Sequence, residues 1–343
     1  MKKLLNTLYV TTQNAYLFKE GASVVVKIEG KNRLRLPLHT LDGIVTFGAV
    51  SLSPFLMAAC AEAGVTISFL SQYGRFLARV HGPVTGNVRL RREQYRRAES
   101  PEKAREPALF MLKGKLHNSR AVLRRFLRDY PAATDAEAIA AGQRRLTDQL
   151  RRLDSEPALP AMRGLEGEAA ATYFGLFGKL ITAGGRDFTF SCRSRRPPRD
   201  PVNALLSFTY TLLVHDCRSA LEGVGLDPYV GFLHVDRPGR PGLALDLMEE
   251  FRSWLADRLA LSLINRQQLQ ANQFRRSKSG AVLLDEAGRK EVLTAWQKRK
   301  QDEITHPFTG EKVAVGLLFH LQARLLARYL RGELDGYPPF LWK

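Results

Sequence analysis

Cysteine is scarce and unpatterned in this chain: Cys60, Cys192 and Cys217 are an odd number with no Cys-x-x-Cys spacing. That excludes a disulfide framework and a structural zinc site built on paired thiolates. Long apolar runs are missing too. The segment Met1–Tyr9 begins like a signal peptide, but Asn6, Thr11, Thr12, Gln13 and Asn14 break it before it reaches useful length. The most apolar stretch, Ala49 to Leu70, contains Pro54, Glu62 and Gly64, so it is no uninterrupted membrane span. A reducing, cytoplasmic location without membrane association is expected. No repeat of solenoid length is visible. Acidic residues are in deficit: 34 Asp and Glu face 52 Lys and Arg, a net charge of +18. Such an excess costs self-repulsion in the folded state, and a polyanionic partner such as DNA is the simplest reason to keep it.

What is present describes a folded protein. At 343 residues, 45% hydrophobic and 25% charged, the chain is long enough for two domains, each with its own core. Residues 1–86 read as β-rich. Thr7–Thr12, Ser23–Ile28 and Arg33–Leu38 show β-branched runs or period-two alternation, and Glu29–Asn32 between the last two is a hairpin connection. Ser53, Pro54 and Gly64 supply the N-cap, first residue and terminator of one short helix, and Val65–Leu70 returns as a buried strand. Together these predict a small sheet domain with an inserted helix.

The character changes near Gly86. Residues 87–106 read as a basic linker and helix start, and 107–343 as a helical domain. From Arg89 to Arg128 thirteen Lys or Arg face four Glu, punctuated by Pro101 and Pro107, which predicts a linker and two helices rather than one rod. Further helices are expected over about 135–153, 160–182, 200–223, 243–270, 287–301 and 311–333, with Asp200 and Pro201 as cap and first turn of the third. The fold class is therefore α+β in two domains. The closing Tyr337–Lys343 is a hydrophobic tail, either docked or disordered.

Three segments carry candidate chemistry. Glu166 shares a helix face with Ala169, Ala170 and Tyr173, a setting in which a carboxylate needs compensation. Its plainer reading is a helix-start acid favoured by the macrodipole. His234 ends Gly231-Phe-Leu and precedes a turn, so one ring nitrogen can point outward while an acceptor holds the other. A satisfied, partly buried histidine is the alternative. Glu249 lies one helical turn after Asp246, and two carboxylates on a partly apolar face repel unless a cation lies between them. A capping box also supplies acids of this kind. Two carboxylates and one imidazole form a hard, mixed O/N set suited to Mg²⁺ or Mn²⁺, with Asp246 a fourth ligand or a supporting group. Arg89, Arg91, Arg92 and Arg96, with Arg193, Arg195, Arg196 and Arg199, are candidate phosphate contacts, or else solvated surface. Tyr16, Tyr73 and Tyr95 offer rings for stacking on unpaired bases, or for packing.

The runs 166–174, 197–210, 231–234 and 243–252 fall in the order and spacing of one family, and Lys115-Leu-His-Asn118 looks like its linker-proximal helix. The chain resembles, over essentially its whole length, the CRISPR-associated Cas-one integrases, the nucleases of spacer acquisition. The opening Lys3–Val10 looks most similar to the subtype I-C branch. The resemblance implies an N-terminal β-sandwich-like dimerisation domain and a C-terminal all-helical catalytic domain. It implies a homodimer, two of which flank a dimer of the small Cas-two protein in a heterohexamer. It also implies that Glu166, His234 and Glu249 bind the divalent metal, with Asp246 close by. Relatives often carry Asp at the third position, and Glu249 is one methylene longer. The expected reaction joins foreign DNA to a repeat by 3′-hydroxyl attack, or cleaves DNA with water as nucleophile. A junction-repair endonuclease and a non-catalytic DNA-binding scaffold are the alternatives.

Overall fold

The computed structural model describes residues 6–72, 76–80, 82, 87–155, 157–183 and 185–342. Tyr73, the first three residues of the opening Lys3–Val10 stretch and the boundary at Gly86 lie outside the described residues.

Among its described residues the amino-terminal part contains eight strands and one helix: β1 (Asn6–Val10), β2 (Ala15–Glu20), β3 (Ser23–Ile28), β4 (Lys31–Pro37), β5 (Leu41–Phe47), β6 (Val50–Leu52), α1 (Pro54–Glu62), β7 (Thr66–Leu70) and β8 (Phe76–Val80). They form two four-stranded sheets, ordered β1-β5-β7-β8 and β4-β3-β2-β6. Side chains of both sheets share one core, in which Val10, Ile44 and Ile67 meet Leu17, Val24, Val26 and Leu56 of α1. The hairpin between β3 and β4 turns on Glu29 and Gly30, both at positive φ (51° and 76°), as a two-residue turn matched to sheet twist requires. Ser53 caps α1 by accepting from the Leu56 amide, and Gly64 ends it at φ +68°. Strands β2, β5, β6 and β8 were not expected from the sequence. In β5, Ile44 faces the sheet core while Val45 and Phe47 join the helical core, so both faces are buried and no alternation marks the strand.

The rest is helical. It comprises α2 (Val88–Glu99), α3 (Pro101–Asp129), α4 (Ala136–Asp154), α5 (Leu159–Phe177), α6 (Pro201–Gly223), α7 (Gly242–Phe251), α8 (Arg258–Asn265), the hairpin β9 (Phe274–Arg276) with β10 (Val282–Leu284), α9 (Glu286–Gln301), the hairpin β11 (Glu303–Thr305) with β12 (Lys312–Ala314), and α10 (Val315–Leu330). None of the described helices is long and apolar enough to cross a membrane. Pro107 does not break α3 but lies buried within it. The expected helix over 243–270 is two helices joined by a π-helical turn, Arg252–Asp257, and it ends at Asn265. The helix expected from residue 311 starts at Val315, after a short hairpin.

Helix α3 is the spine. It packs against α4, α5 and α7, burying Ala108, Met111, Leu112, Leu116, Val122 and Leu123 among them. The tail is docked: Tyr337 and Phe340 are fully enclosed, Phe340 stacking on Phe251 and packing at a tilt against Trp254. Leu116 has no exposed surface and sits at the centre of this spine. Leu116→Ala is therefore expected to lower unfolding free energy by about 2–5 kcal/mol, measured by urea titration.

Candidate metal centre

Glu166 lies about two turns into α5, which begins at Leu159, beyond the reach of the helix dipole that would favour a first-turn acid. Its neighbours Ala169 and Tyr173 are buried, while Glu168 points elsewhere and pairs with Arg152 at the surface. The carboxylate of Glu166 meets the ammonium of Lys115, which projects from α3.

Glu249 reaches the same ammonium from the other side. It stands near the end of α7, which has no acid in its first turn, so a capping role is excluded. Its side chain is 1% exposed. Lys115 Nζ is 2.8 Å from Oε2, and Arg252 Nη1 is 3.2 Å from Oε1. Burial pushes this carboxyl up, but Arg252, Lys115 and His234 outweigh it and hold the pKa at about 2.

His234 is aimed by Asp246, one turn before Glu249 on α7. Asp246 Oδ2 accepts from the amides of Phe232 (2.6 Å) and Leu233 (3.0 Å), and Oδ1 from the amide of His234 (3.0 Å). Oδ1 also lies 2.5 Å from His234 Nδ1. A carboxylate accepts, so Nδ1 carries the proton in this contact and Nε2 is the nitrogen left facing away from Asp246. Nε2 faces Glu249 Oε1 at 3.9 Å. Two glycines make this approach possible: a Cβ on Gly231 would stand 2.8 Å from Asp246 Oδ2, and one on Gly242 would stand 2.7 Å from the Tyr229 carbonyl. Asp246 spends both oxygens on this loop and is a holder of His234.

Glu166, His234 and Glu249 thus come from three separate elements to one place. Among the described residues, no three His, Cys, Asp or Glu side chains converge tightly enough to chelate one ion as they stand, because the Lys115 ammonium occupies the centre. The donor set nevertheless fits a hard cation. Two carboxylates already share a positive charge, an imidazole nitrogen is free beside them, and the enclosed Glu249 Oε2 lacks a hydrogen bond of good geometry. An ammonium and a divalent ion could not share this space, so an ion bound here would have to displace Lys115.

Sequence reasoning missed Lys115, Arg252, Tyr210 and Asp257 as parts of the site. Beside Lys115 a small cavity is lined by Ala169, Ala170, Tyr173, Tyr210, Arg252 and Asp257. Burial raises the Asp257 carboxyl to about 6, against the Tyr210 hydroxyl (2.6 Å) and Arg252, which lower it. A signal for Lys115 existed: residues 108, 112, 115, 119, 122 and 126 form one apolar stripe of α3, and a lysine on it needs a buried partner.

The candidate phosphate contacts divide. Arg89, Arg92 and Arg96 lie exposed on one face of α2, with Arg91 partly buried beside them. Arg195, Arg196 and Arg199 are exposed in the loop before α6. Arg193 is taken up internally: it donates to Asn203 Oδ1 (2.7 Å) and Ser207 Oγ (3.1 Å) and lies over the Tyr210 ring. Tyr16 is exposed and stacks on Phe18, whereas Tyr95 donates to Asp227.

Fold and cluster together define a two-part α+β protein whose helical part gathers acids and an imidazole around one cation. A sequence model described as CRISPR associated protein Cas1 matches residues 8–298. The chain belongs to that family. It is 55% identical over 343 residues to the CRISPR-associated endonuclease Cas1 1 of Chlorobaculum tepidum, and 56% identical over 347 residues to the CRISPR-associated endonuclease Cas1 2 of Rhodospirillum rubrum, with 100% of each chain covered in both cases. Its fold is similar to that of a CAS1 protein from Thermotoga maritima (TM-score 0.79, 21% identity, 97% of this chain and 99% of that one). A casposase bound to integration product shares it too (TM-score 0.84, 24% identity, 98% and 94%).

Asp246 offers a direct check. In Asp246→Asn the amide nitrogen would face N–H donors and leave at least one buried group unpaired. Unfolding free energy is expected to fall by about 1–3 kcal/mol in urea titration, whereas Asp236→Asn, at an exposed neighbouring position, stays within about 0.5 kcal/mol of wild type.

Proposed function

We propose that the protein is a metal-dependent DNA endonuclease and integrase of CRISPR adaptation, inserting foreign DNA fragments as new spacers into a repeat array. The observation that carries this is the full-length identity of 55–56% to two curated relatives that bear the name CRISPR-associated endonuclease. The opening residues favour subtype I-C within the family, and the work is cytoplasmic, where chromosomal repeats lie.

Glu166, His234 and Glu249 would hold Mg²⁺ or Mn²⁺. When bound, such an ion polarises a phosphoryl oxygen and lowers the cost of charge on the pentavalent phosphorus. The remaining functions belong to side chains. Asp246 fixes the tautomer of His234 and so presents Nε2 as a donor atom. Arg252, braced on Glu249 and lying over the Tyr210 ring, keeps positive charge at the cavity next to the cluster. Exposed Arg89, Arg92 and Arg96 on α2, with Arg195, Arg196 and Arg199, hold backbone phosphates without reading sequence. In strand transfer a 3′-hydroxyl of the incoming fragment attacks; one phosphodiester forms as one breaks, and the departing 3′-oxygen takes up a proton. With water as nucleophile the same arrangement cleaves.

The amino-terminal unit, residues 1–86, serves as the dimerisation domain, 87–106 as a basic connection, and 107–343 as the catalytic domain. Two homodimers flank a Cas2 dimer in a heterohexamer. A solved Cas6-RT-Cas1–Cas2 complex contains a chain of this fold, which makes Cas2 the first partner to assay.

Glu166→Ala and His234→Ala are each expected to lower Mn²⁺-dependent cleavage and strand transfer by about 100-fold or more. DNA affinity in chelator should stay near wild type. Wild-type turnover in either variant would sink the metal assignment. A second measurement separates the scaffold from the enzyme: Arg92→Ala with Arg96→Ala should flatten the dependence of log affinity on log salt by about one unit per lost phosphate contact, without changing the metal requirement.

A further inference from the structure

Glu249 and Glu250 are consecutive on α7, about 100° apart around the helix, and they face different partners. Glu249 faces the cluster, whereas Glu250 is fully enclosed by the carboxyl-terminal tail. Glu250 Oε1 accepts from the Tyr337 hydroxyl (2.6 Å), and Oε2 from the Phe340 amide (2.7 Å) and Gln322 Nε2 (2.9 Å). Two of these three donors belong to the tail. Without them, an enclosed carboxyl group would keep one partner, and α7 would have to move to admit water.

The same tail is fastened to α3 one turn beyond Lys115. Asn118 Nδ2 donates to the carbonyls of Glu250 (2.6 Å) and Phe340 (2.8 Å), and its Oδ1 accepts from the Trp342 amide (2.8 Å). Trp342 lies beneath the Arg258 guanidinium, 4.4 Å from its ring centroid. Gly114 lets the three segments meet, since a Cβ there would stand 3.0 Å from Glu250 Cγ and 3.2 Å from Pro339 Cβ. Lys115 and Glu249, the two buried members of the cluster, are therefore each next in sequence, or within one turn, of a residue that the tail holds.

We infer that the tail is a strap that sets the position of Glu249 for cation binding, with Glu250 and Asn118 as positioning residues. The inference rests on the metal reading proposed above. Nothing in it requires the tail to touch DNA or metal; it acts by fixing α7 against α3.

The test uses the full-length chain carrying Tyr337→Phe, which keeps the ring and removes one donor to Glu250, beside a chain ending at Leu334. Mn²⁺ affinity is measured without DNA by the paramagnetic signal of free ion, and cleavage is measured over a Mn²⁺ series. Both variants are expected to bind Mn²⁺ about tenfold more weakly. Cleavage should return at high Mn²⁺ with its maximal rate preserved, and DNA affinity in chelator should not move. A peptide of residues 335–343 added to the shortened chain should restore Mn²⁺ affinity. Should the shortened chain fail to fold, Tyr337→Phe decides alone. A lowered melting temperature with wild-type Mn²⁺ affinity overturns the inference, because the tail would then be only packing. Wild-type protein that binds no Mn²⁺ overturns the metal reading, and the strap with it.

Discussion

Glu166 and Glu249 share one ammonium, that of Lys115, and much of the helical half is arranged so that they can. Two carboxylates this close would repel, and one of them is almost wholly shielded from water, where repulsion is least damped. Lys115 relieves this from α3, Arg252 from the π-helical turn, and the depressed carboxyl of Glu249 records how strongly they do so. The acids come from α5 and α7, the cation from α3, and α3 packs on both. A site assembled in this way cannot persist if α3 moves. That constraint explains why a 29-residue helix with a proline inside it runs through the middle of the domain.

The third member of the cluster is set by different physics. His234 sits in a loop, where position is usually loose, yet Asp246 binds three consecutive amides and the ring of that loop. Backbone donors fix a segment without depending on side-chain packing. The glycines at 231 and 242 are the condition for it, because a methyl group at either would press on the carboxylate or the facing backbone. The loop thus gains the rigidity of α7 itself. The π-helical turn that follows α7 has a comparable effect: it carries Arg252 to Glu249 and Asp257 to Tyr210.

Much of this was legible in the sequence where local rules operate. The helices over 136–154, 201–223 and 286–301 lie within a residue or so of their expected limits. The caps Ser53 and Asp200 accept amide hydrogen bonds as their positions suggest. The order of a strand-rich part followed by a helical one was also readable, because β-branched runs give way to 3.6-residue periodicity, although the pairing into two sheets was not. What failed was non-local. Strand β5 is buried on both faces and so shows no alternation. The break after Phe251 has no proline or glycine to announce it, since a π-turn needs neither. Lys115 looks like one more basic residue in a basic run until α5 and α7 are placed beside it, and the tail acquires a meaning only through Glu250.

The net charge itself must be divided before it can be used. Several arginines that contribute to +18 are spent within the fold. Arg193 is bound to Asn203 and Ser207, Arg252 to Glu249, and Arg289 to the Leu284 carbonyl. Arg79 is paired with Glu222 between the sheet domain and α6. Arg79 and Arg252 are offset by the acids they pair with, whereas Arg193 and Arg289 keep their charge but are held in place by neutral partners. Exposed positive charge remains at many positions, among them the outer face of α2 and the loop before α6. A guanidinium held by short internal hydrogen bonds would have to give them up to reach a phosphate, a cost that surface arginines do not carry. On the function proposed above, the basic residues placed near the cluster would shape its potential and exposed ones farther out would supply attachment to a polyanion. Positioning and affinity would then fall to two different sets of basic residues.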